Sequence, residues 1–234
     1  AGVDDNTLVI FASDNGPWFG GSTGGLRGMK ASSWEGGYRV PLIARWPGKI
    51  PAGHTSGQPA VMMDIFATVL QVTGATMPDD RVLDGRNLLP VLTSDAASPH
   101  EVIFGHQGER LATVRRGRWK LHVLPARDMN LRSGPDGKWL DPRAPDGVTI
   151  LAPYEQYNID AHPGLVTGDP PAAMQLFDLQ TDPGEQHDVA AQNPDIVARL
   201  NAQHAAMLRE LPANLNNPKR TGPTVKEKPP QRVQ

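Results

Sequence analysis

The most constraining feature of this 234-residue chain is the apolar run Leu8–Ala12, LVIFA, which passes directly into Ser13-Asp14-Asn15-Gly16-Pro17. Consecutive apolar residues, β-branched and aromatic among them, bounded by Asn6 and by a polar turn, predict a fully buried strand. A strand of that kind belongs in a parallel sheet with crossover partners on each side. Only a short polar entry, residues 1–6, precedes it, so the chain is expected to begin in mid-domain. Open α/β sheets bind ligands in the crevice outside the carboxyl ends of their strands. At that position Asp14 and Asn15 set a carboxylate beside a carboxamide, hard oxygen donors suited to Ca²⁺ or Mg²⁺ and poor ligands for soft metals. Asp and Asn-Gly are also common turn residues, so these two positions alone allow an ordinary turn.

The residues that follow narrow the choice. Gly20, Gly21, Gly24, Gly25 and Gly28 make a flexible, close-approach loop that leads to Lys30 and the run Lys30-Ala31-Ser32-Ser33-Trp34-Glu35-Gly36-Gly37-Tyr38-Arg39-Val40-Pro41. It lacks the Gly-Lys-Ser/Thr ending of a phosphate-binding P-loop. Ser-Asp-Asn-Gly-Pro, then a glycine-rich loop, then G-x-K-x-S-x-x-E-G-G-x-R-x-P together resemble the third quarter of the type I sulfatases. These are the arylsulfatase and glycosaminoglycan-sulfatase group of the alkaline-phosphatase-like superfamily. Two motifs in the right order and at the right separation carry the likeness.

The resemblance implies that Asp14 and Asn15 complete the coordination of an active-site Ca²⁺, with Mg²⁺ as the alternative ion, and that Lys30 contacts the sulfate group. The physics agrees, because a divalent cation and a fixed ammonium stabilise a transition state whose negative charge lies on sulfate oxygens. Glu35 and Arg39 are expected to form a structural ion pair across the glycine turn. Trp18 is expected to pack at the core or rim rather than line the pocket. The family's nucleophile is a formylglycine made in a C/S-x-P-x-R motif, and no such motif occurs in this sequence. Its nearest counterpart, Ser133-Gly134-Pro135-Asp136-Gly137, has Gly in place of Arg and lies on the wrong side of the Ser-Asp-Asn-Gly motif. The family's early Asp-Asp ligands and upstream Lys and His are also missing. The chain is therefore expected to be the C-terminal part of a sulfatase, inactive alone, with the formylglycine in the N-terminal part of the same enzyme.

Composition sets wider bounds. A formal charge of −2 with mixed signs leaves no nucleic-acid footprint. No apolar run is long enough to span a bilayer, and the absence of cysteine removes disulfides and thiolate metal sites.

Beyond Pro41 the chain returns to the sheet through Leu42–Trp46 and turns at Pro47-Gly48. Met62, Ile65, Phe66, Val69 and Leu70 recur at helical spacing, with Gly74 placed as C-cap. Asp64 on that helix and the segment Asp79–Leu92 resemble family features, and a structural role is expected for Asp64. His54 reads as a solvated loop residue. After a polar boundary come a short strand at Val102–Phe104 and a hairpin of Leu111–Arg115 with Trp119–Leu124. On that hairpin Arg115, Arg116, Arg118 and Lys120 are expected on a solvated face. His106 falls in the adjoining loop, which in the family approaches the active-site mouth, and is a candidate substrate-rim residue. Residues 125–173 form a long connection rich in Pro, Gly and Asp, the place to seek substrate selectivity. A last strand at 175–179 precedes Thr181-Asp182-Pro183-Gly184-Glu185, which resembles the family's D-P-x-E segment but has Asp188 where Asn is usual. Asn193-Pro194 opens a helix as N-cap and N1. Its stripe of Ile196, Val197, Leu200, His204, Met207, Leu208 and Leu211 is expected to pack on the sheet until Pro212 ends it.

The expected fold class is α/β, the C-terminal part of an alkaline-phosphatase-like sulfatase fold. Residues 1–95 would complete the catalytic domain, 96–211 would form a small subdomain of antiparallel sheet plus helix, and 212–234 an extended or mobile tail. The expected function is hydrolysis of sulfate esters, with a sulfated small molecule or sulfated glycan as substrate and a homo-oligomer possible. By family resemblance the compartment would be periplasmic, secreted or lysosomal. The rivals are a phosphodiesterase or phosphonate hydrolase of the same superfamily and a non-catalytic binding module with a degenerate site.

Overall fold

The computed structural model of the chain describes residues 2–17, 23–126 and 168–211. Trp18, most of the connection at 125–173 and the tail from 212 onward lie outside the described residues. A 3-10 turn at Asp4–Asn6 leads into β1 (Val9–Ala12), and a one-turn helix α1 (Glu35–Tyr38) precedes β2 (Leu42–Arg45). The helices α2 (Asp64–Thr73) and α3 (Leu89–Ser94) follow, then β3 (Ile103–Gln107), β4 (Arg110–Arg116), β5 (Trp119–His122), β6 (Gln175–Asp178) and α4 (Pro194–Glu210).

The strand at the N-terminus forms, but its setting differs from the expected one. β1 pairs antiparallel with β2, with Val9 opposite Arg45 and Ala12 opposite Leu42. Exposed and half-buried residues alternate along it rather than all being buried. Among the described residues these two strands make a sheet of their own. With no further layer there, Phe11 and its cross-strand partner Ile43 are each 62% exposed. Helix α2 shows the same inversion. Gly74 caps it in the left-handed conformation at φ 69°, and Asp64, Ala67 and Thr68 form its buried face, whereas Phe66 and Val69 of the apolar stripe are exposed.

Asp64 anchors that helix. It is fully buried and accepts hydrogen bonds from the amides of Val61 (2.8 Å) and Arg86 (2.7 Å), and its Oδ1 lies 2.8 Å from His100 Nε2. Thr68 adds a tie, accepting from the Leu88 amide at 2.8 Å.

β3 to β6 form an antiparallel meander in sequence order. Left-handed Gly108 and Gly117, at φ 62° and 57°, make the two tight hairpin turns that join β3 to β4 and β4 to β5. On one face Val114, Leu121 and Leu176 pack with Leu200 of α4, flanked by Ile196 and Val197. His204, also buried, lies with Nε2 3.0 Å from the Leu111 carbonyl oxygen. The helix ends at Glu210 because Leu211, which precedes Pro212, is forced into extended geometry at ψ 142°.

Part of the other face of the sheet is not solvated, and this corrects the reading for Lys120, whereas Arg118 is exposed as expected and Arg115 and Arg116 are half-buried. Trp34 and Phe177 are buried together there, and His122 stacks at 4.5 Å from the Trp34 ring. Strand alternation does point Lys120 away from α4. The segment bearing Trp34 and Glu35 covers that face, so Lys120 is 1% exposed. The three arginines each meet a different carboxylate. Arg115 lies 3.6 Å from Glu35, Arg116 pairs with Glu101, and Arg118 pairs with Asp178.

Candidate functional site

The site begins with a backbone interlock between the tip of β1 and the glycine loop. The Gly16 amide donates to the Gly37 carbonyl (2.9 Å), the Lys30 amide to the Pro17 carbonyl (2.9 Å), and the Gly36 amide to the Arg27 carbonyl (2.8 Å). These strands of loop approach so closely that side chains are excluded. A Cβ on Gly16 would lie 1.9 Å from the Gly36 carbonyl oxygen, and one on Gly37 would lie 2.3 Å from that of Ser32 and 2.7 Å from that of Met29. Glycine is the one residue that fits such a contact. The turn between Met29 and Ser32 is further closed by Ser32 Oγ, which donates to the Met29 carbonyl at 2.7 Å. Ala31 within it is held at φ 72°, a left-handed conformation unusual for a residue with a Cβ.

This interlock brings Asp14 and Asn15 to the same cavity as the residues that follow Lys30. The cavity, about 250 Å³, is lined by Asp14, Asn15, Ala31, Ser32, Tyr38 and His106, with Gly37 and Gly108 completing its wall. Asp14 is exposed and Asn15 half-buried, and the Asn15 amide donates to Asp14 Oδ1, so neither side chain is turned into the core. Lys30 is exposed at the head of the strained turn and is not itself a lining residue. Its side chain makes no ion pair among the described residues.

His106 reaches the cavity from a strand rather than from the expected loop. It sits in β3 just after an irregularity between Gly105 and His106, where the register against β4 shifts. That bulge re-aims the side chain toward the rim. Burial lowers the His106 pKa, opposed by the Asp84 charge, so the ring is neutral at neutral pH. Tyr38 braces it from α1: its hydroxyl donates to the His106 carbonyl, and its ring passes so near Gly105 that a Cβ there would meet it at 2.9 Å. Burial pushes the Tyr38 phenol up to about 12, which keeps it a neutral donor. Sequence reading did not single out Tyr38.

Asp14 and Asn15 fit a hard cation by chemistry, since both offer oxygens at an accessible strand tip. They would supply two of the roughly six to eight oxygens that Ca²⁺ takes. Among the described residues no cluster of three or more His, Cys, Asp or Glu is arranged for an ion.

Behind the cavity wall lies a buried ionic network that the sequence concealed. Glu35 does not pair with Arg39. Its Oε1 accepts from Lys120 Nζ at 2.9 Å, because β5 presents Lys120 directly beneath α1 while Arg39 points to solvent. Glu185, which is 0% exposed, accepts from Lys120 (3.0 Å) and from the Glu35 amide (2.5 Å), and its Oε1 lies 2.7 Å from His122 Nε2. Burial pushes the Glu185 carboxyl upward, but the Lys120 charge and the His122 hydrogen bond outweigh it and hold the pKa at about 2. Burial lowers the pKa of His122, and its Nδ1 has no hydrogen-bond partner among the described residues. The D-P-x-E likeness was visible in the sequence, yet nothing there showed which groups Glu185 would meet.

Residues 1–75 match the family described as Sulfatase, and residues 98–229 match the C-terminal region of aryl-sulfatase. The chain belongs to the sulfatase family. It is 34% identical to rat (Rattus norvegicus) steryl-sulfatase over 92% of this chain and 38% of that protein. It is 38% identical to an arylsulfatase of Hemicentrotus pulcherrimus over 81% of this chain and 33% of that one. Among solved structures, the PsFucS1 sulfatase from Pseudoalteromonas sp. superposes with a TM-score of 0.58 at 26% identity, over 89% of this chain and 38% of that structure. The chain thus spans 33–38% of the length of these relatives.

Proposed function

We propose that this chain forms the cation- and sulfate-facing side of an enzyme that hydrolyses sulfate esters, acting together with an N-terminal part of the same enzyme. The observation that supports the reading is the glycine interlock, which brings Asp14 and Asn15 to one small cavity whose wall is formed in part by Ala31 and Ser32, the residues that follow Lys30. Asp14 and Asn15 would hold a Ca²⁺ or Mg²⁺ ion, which when bound supplies Lewis-acid neutralisation of sulfate oxygens. The N-terminal part would supply the formylglycine nucleophile. Lys30 would contact the sulfate, its charge stabilising the negative oxygens more as they develop charge than in the ground state. His106, neutral and on the rim, would face the alcohol portion of a sulfated small molecule or glycan. The outward apolar faces of β1–β2 and α2, with Phe11, Ile43 and Phe66 exposed, support apposition of that N-terminal part.

The test is turnover of nitrophenyl sulfate and nitrophenyl phosphate esters by the whole enzyme carrying Lys30→Ala or Asp14→Ala. Each is expected to lower sulfate-ester kcat/KM by about 10²-fold or more, and a chelator to abolish it reversibly. A preference for phosphate diesters would move the protein to the phosphodiesterase class. Calcium-independent glycan binding without turnover would make it a binding module.

A further inference from the structure

The catalytic reading makes no use of Glu185, a fully buried carboxylate, and its geometry points to a role. We propose that Glu185 is a positioning residue that holds the sulfate-binding turn in register from the C-terminal side of the fold, a role that rests on the sulfatase reading above. Glu185 lies 150 residues from Glu35 in sequence, yet its carboxylate accepts the Glu35 amide, the first N–H of the turn of helix that carries Gly37 and Tyr38 into the cavity wall. The same carboxylate takes Lys120 and His122, so three donors from two elements converge on it. Its main chain contributes as well: the Glu185 carbonyl accepts from Arg27 Nη1 at 3.0 Å, and Arg27 Nη2 donates to the Asp169 carbonyl at 2.8 Å. Arg27 in turn stacks over Trp34 at 3.8 Å. Arg27 and Glu35 bracket Lys30, so both ends of the sulfate-facing segment are tied to the 168–186 region.

Two features separate this from ordinary core packing. Glu185 is held at φ 52°, a left-handed conformation costly for a residue with a Cβ, which persists where the surroundings over-determine it. The network is also charge-balanced, with the carboxylates of Glu35 and Glu185 facing the cations of Lys120 and Arg115. An apolar residue would fill the space as well for stability, since buried ion pairs often contribute little net stability over hydrophobic isosteres. What such a residue would not do is accept the Glu35 amide in one fixed direction.

The experiment substitutes Glu185→Gln, which keeps shape and an acceptor oxygen but removes the charge. Amide hydrogen exchange, read by mass spectrometry, and kinetics are both measured on the whole enzyme. Expected are a tenfold or greater rise in exchange confined to peptides spanning 27–38, unchanged protection of β4, β5 and α4, and a fall of about tenfold in kcat/KM for sulfate esters. Glu185→Asp, with the charge kept but the reach shortened, is expected to fall between the two, and serves if the Gln variant does not fold. Unchanged exchange at 27–38 would overturn the proposal. So would a rise spread evenly over the sheet and α4, which marks a structural role alone, or a local rise with wild-type kinetics. Should the wild-type enzyme hydrolyse no sulfate ester, the functional reading fails while the exchange data still decide whether Glu185 holds the turn.

Discussion

Gly37→Ala is the most direct test of the glycine interlock. The added Cβ would stand 2.3 Å from the Ser32 carbonyl oxygen and 2.7 Å from that of Met29, where ordinary contact begins at 3.4 Å. Both neighbours are backbone, so neither can rotate aside, and the Met29–Ser32 turn has to retreat by about 1 Å. That turn carries Lys30. A displacement of about 1 Å in a positioned catalytic group costs about 10²-fold in rate, or about 2.7 kcal/mol of transition-state stabilisation. Overpacking also costs about 1–3 kcal/mol of stability. Against this, alanine returns about 0.4–1 kcal/mol by restricting the unfolded chain. Gly57→Ala measures that return alone, because a Cβ there meets nothing within 4 Å and its φ is not left-handed. The assay pairs sulfate-ester kcat/KM of the whole enzyme with thermal unfolding of each variant. If Gly37→Ala retains kcat/KM within about twofold of the Gly57→Ala control, the interlock does not position the site and the argument built on it is wrong.

Two further outcomes concern the fold. Leu200→Ala, which empties a fully buried position between Val114, Leu121 and Leu176, is expected to cost about 3 kcal/mol in denaturant unfolding. Exposed Arg199→Ala on the same helix should change stability by less than about 0.5 kcal/mol, and similar losses for the two would contradict the packing described. Acid should also destabilise the chain. Glu185 has its pKa lowered from 4.5 to about 2, so its contribution is complete above 4.5 and disappears as pH falls toward 2. His122 is lowered from 6.5, so unfolding takes up a proton first and stability declines as pH drops below 6.5. Denaturant midpoints measured from pH 8 to pH 3 should therefore fall throughout the acid limb, and a rise on acidification would refute the buried, neutral placement of His122.

Local pattern alone determined much of the molecule. The apolar run ending in Asp14-Asn15-Gly16, the helix capped at Gly74, the hairpin turning at Gly117 and the Asn193-Pro194 helix start are all short-range features, legible because turn chemistry and periodicity act over a few residues. So was the order of the motifs that carry Asp14, Asn15 and Lys30. Tertiary structure decided what covers each face. A hairpin with Arg115 and Lys120 directly opposite each other on one face reads as half-solvated until Trp34 and Glu35, far upstream, are laid over it. The true partner of Glu35 and the seat of Glu185 depend on contacts across 85 and 150 residues. Burial and charge pairing over such separations are set by which surfaces meet, and no window of neighbouring residues encodes that meeting.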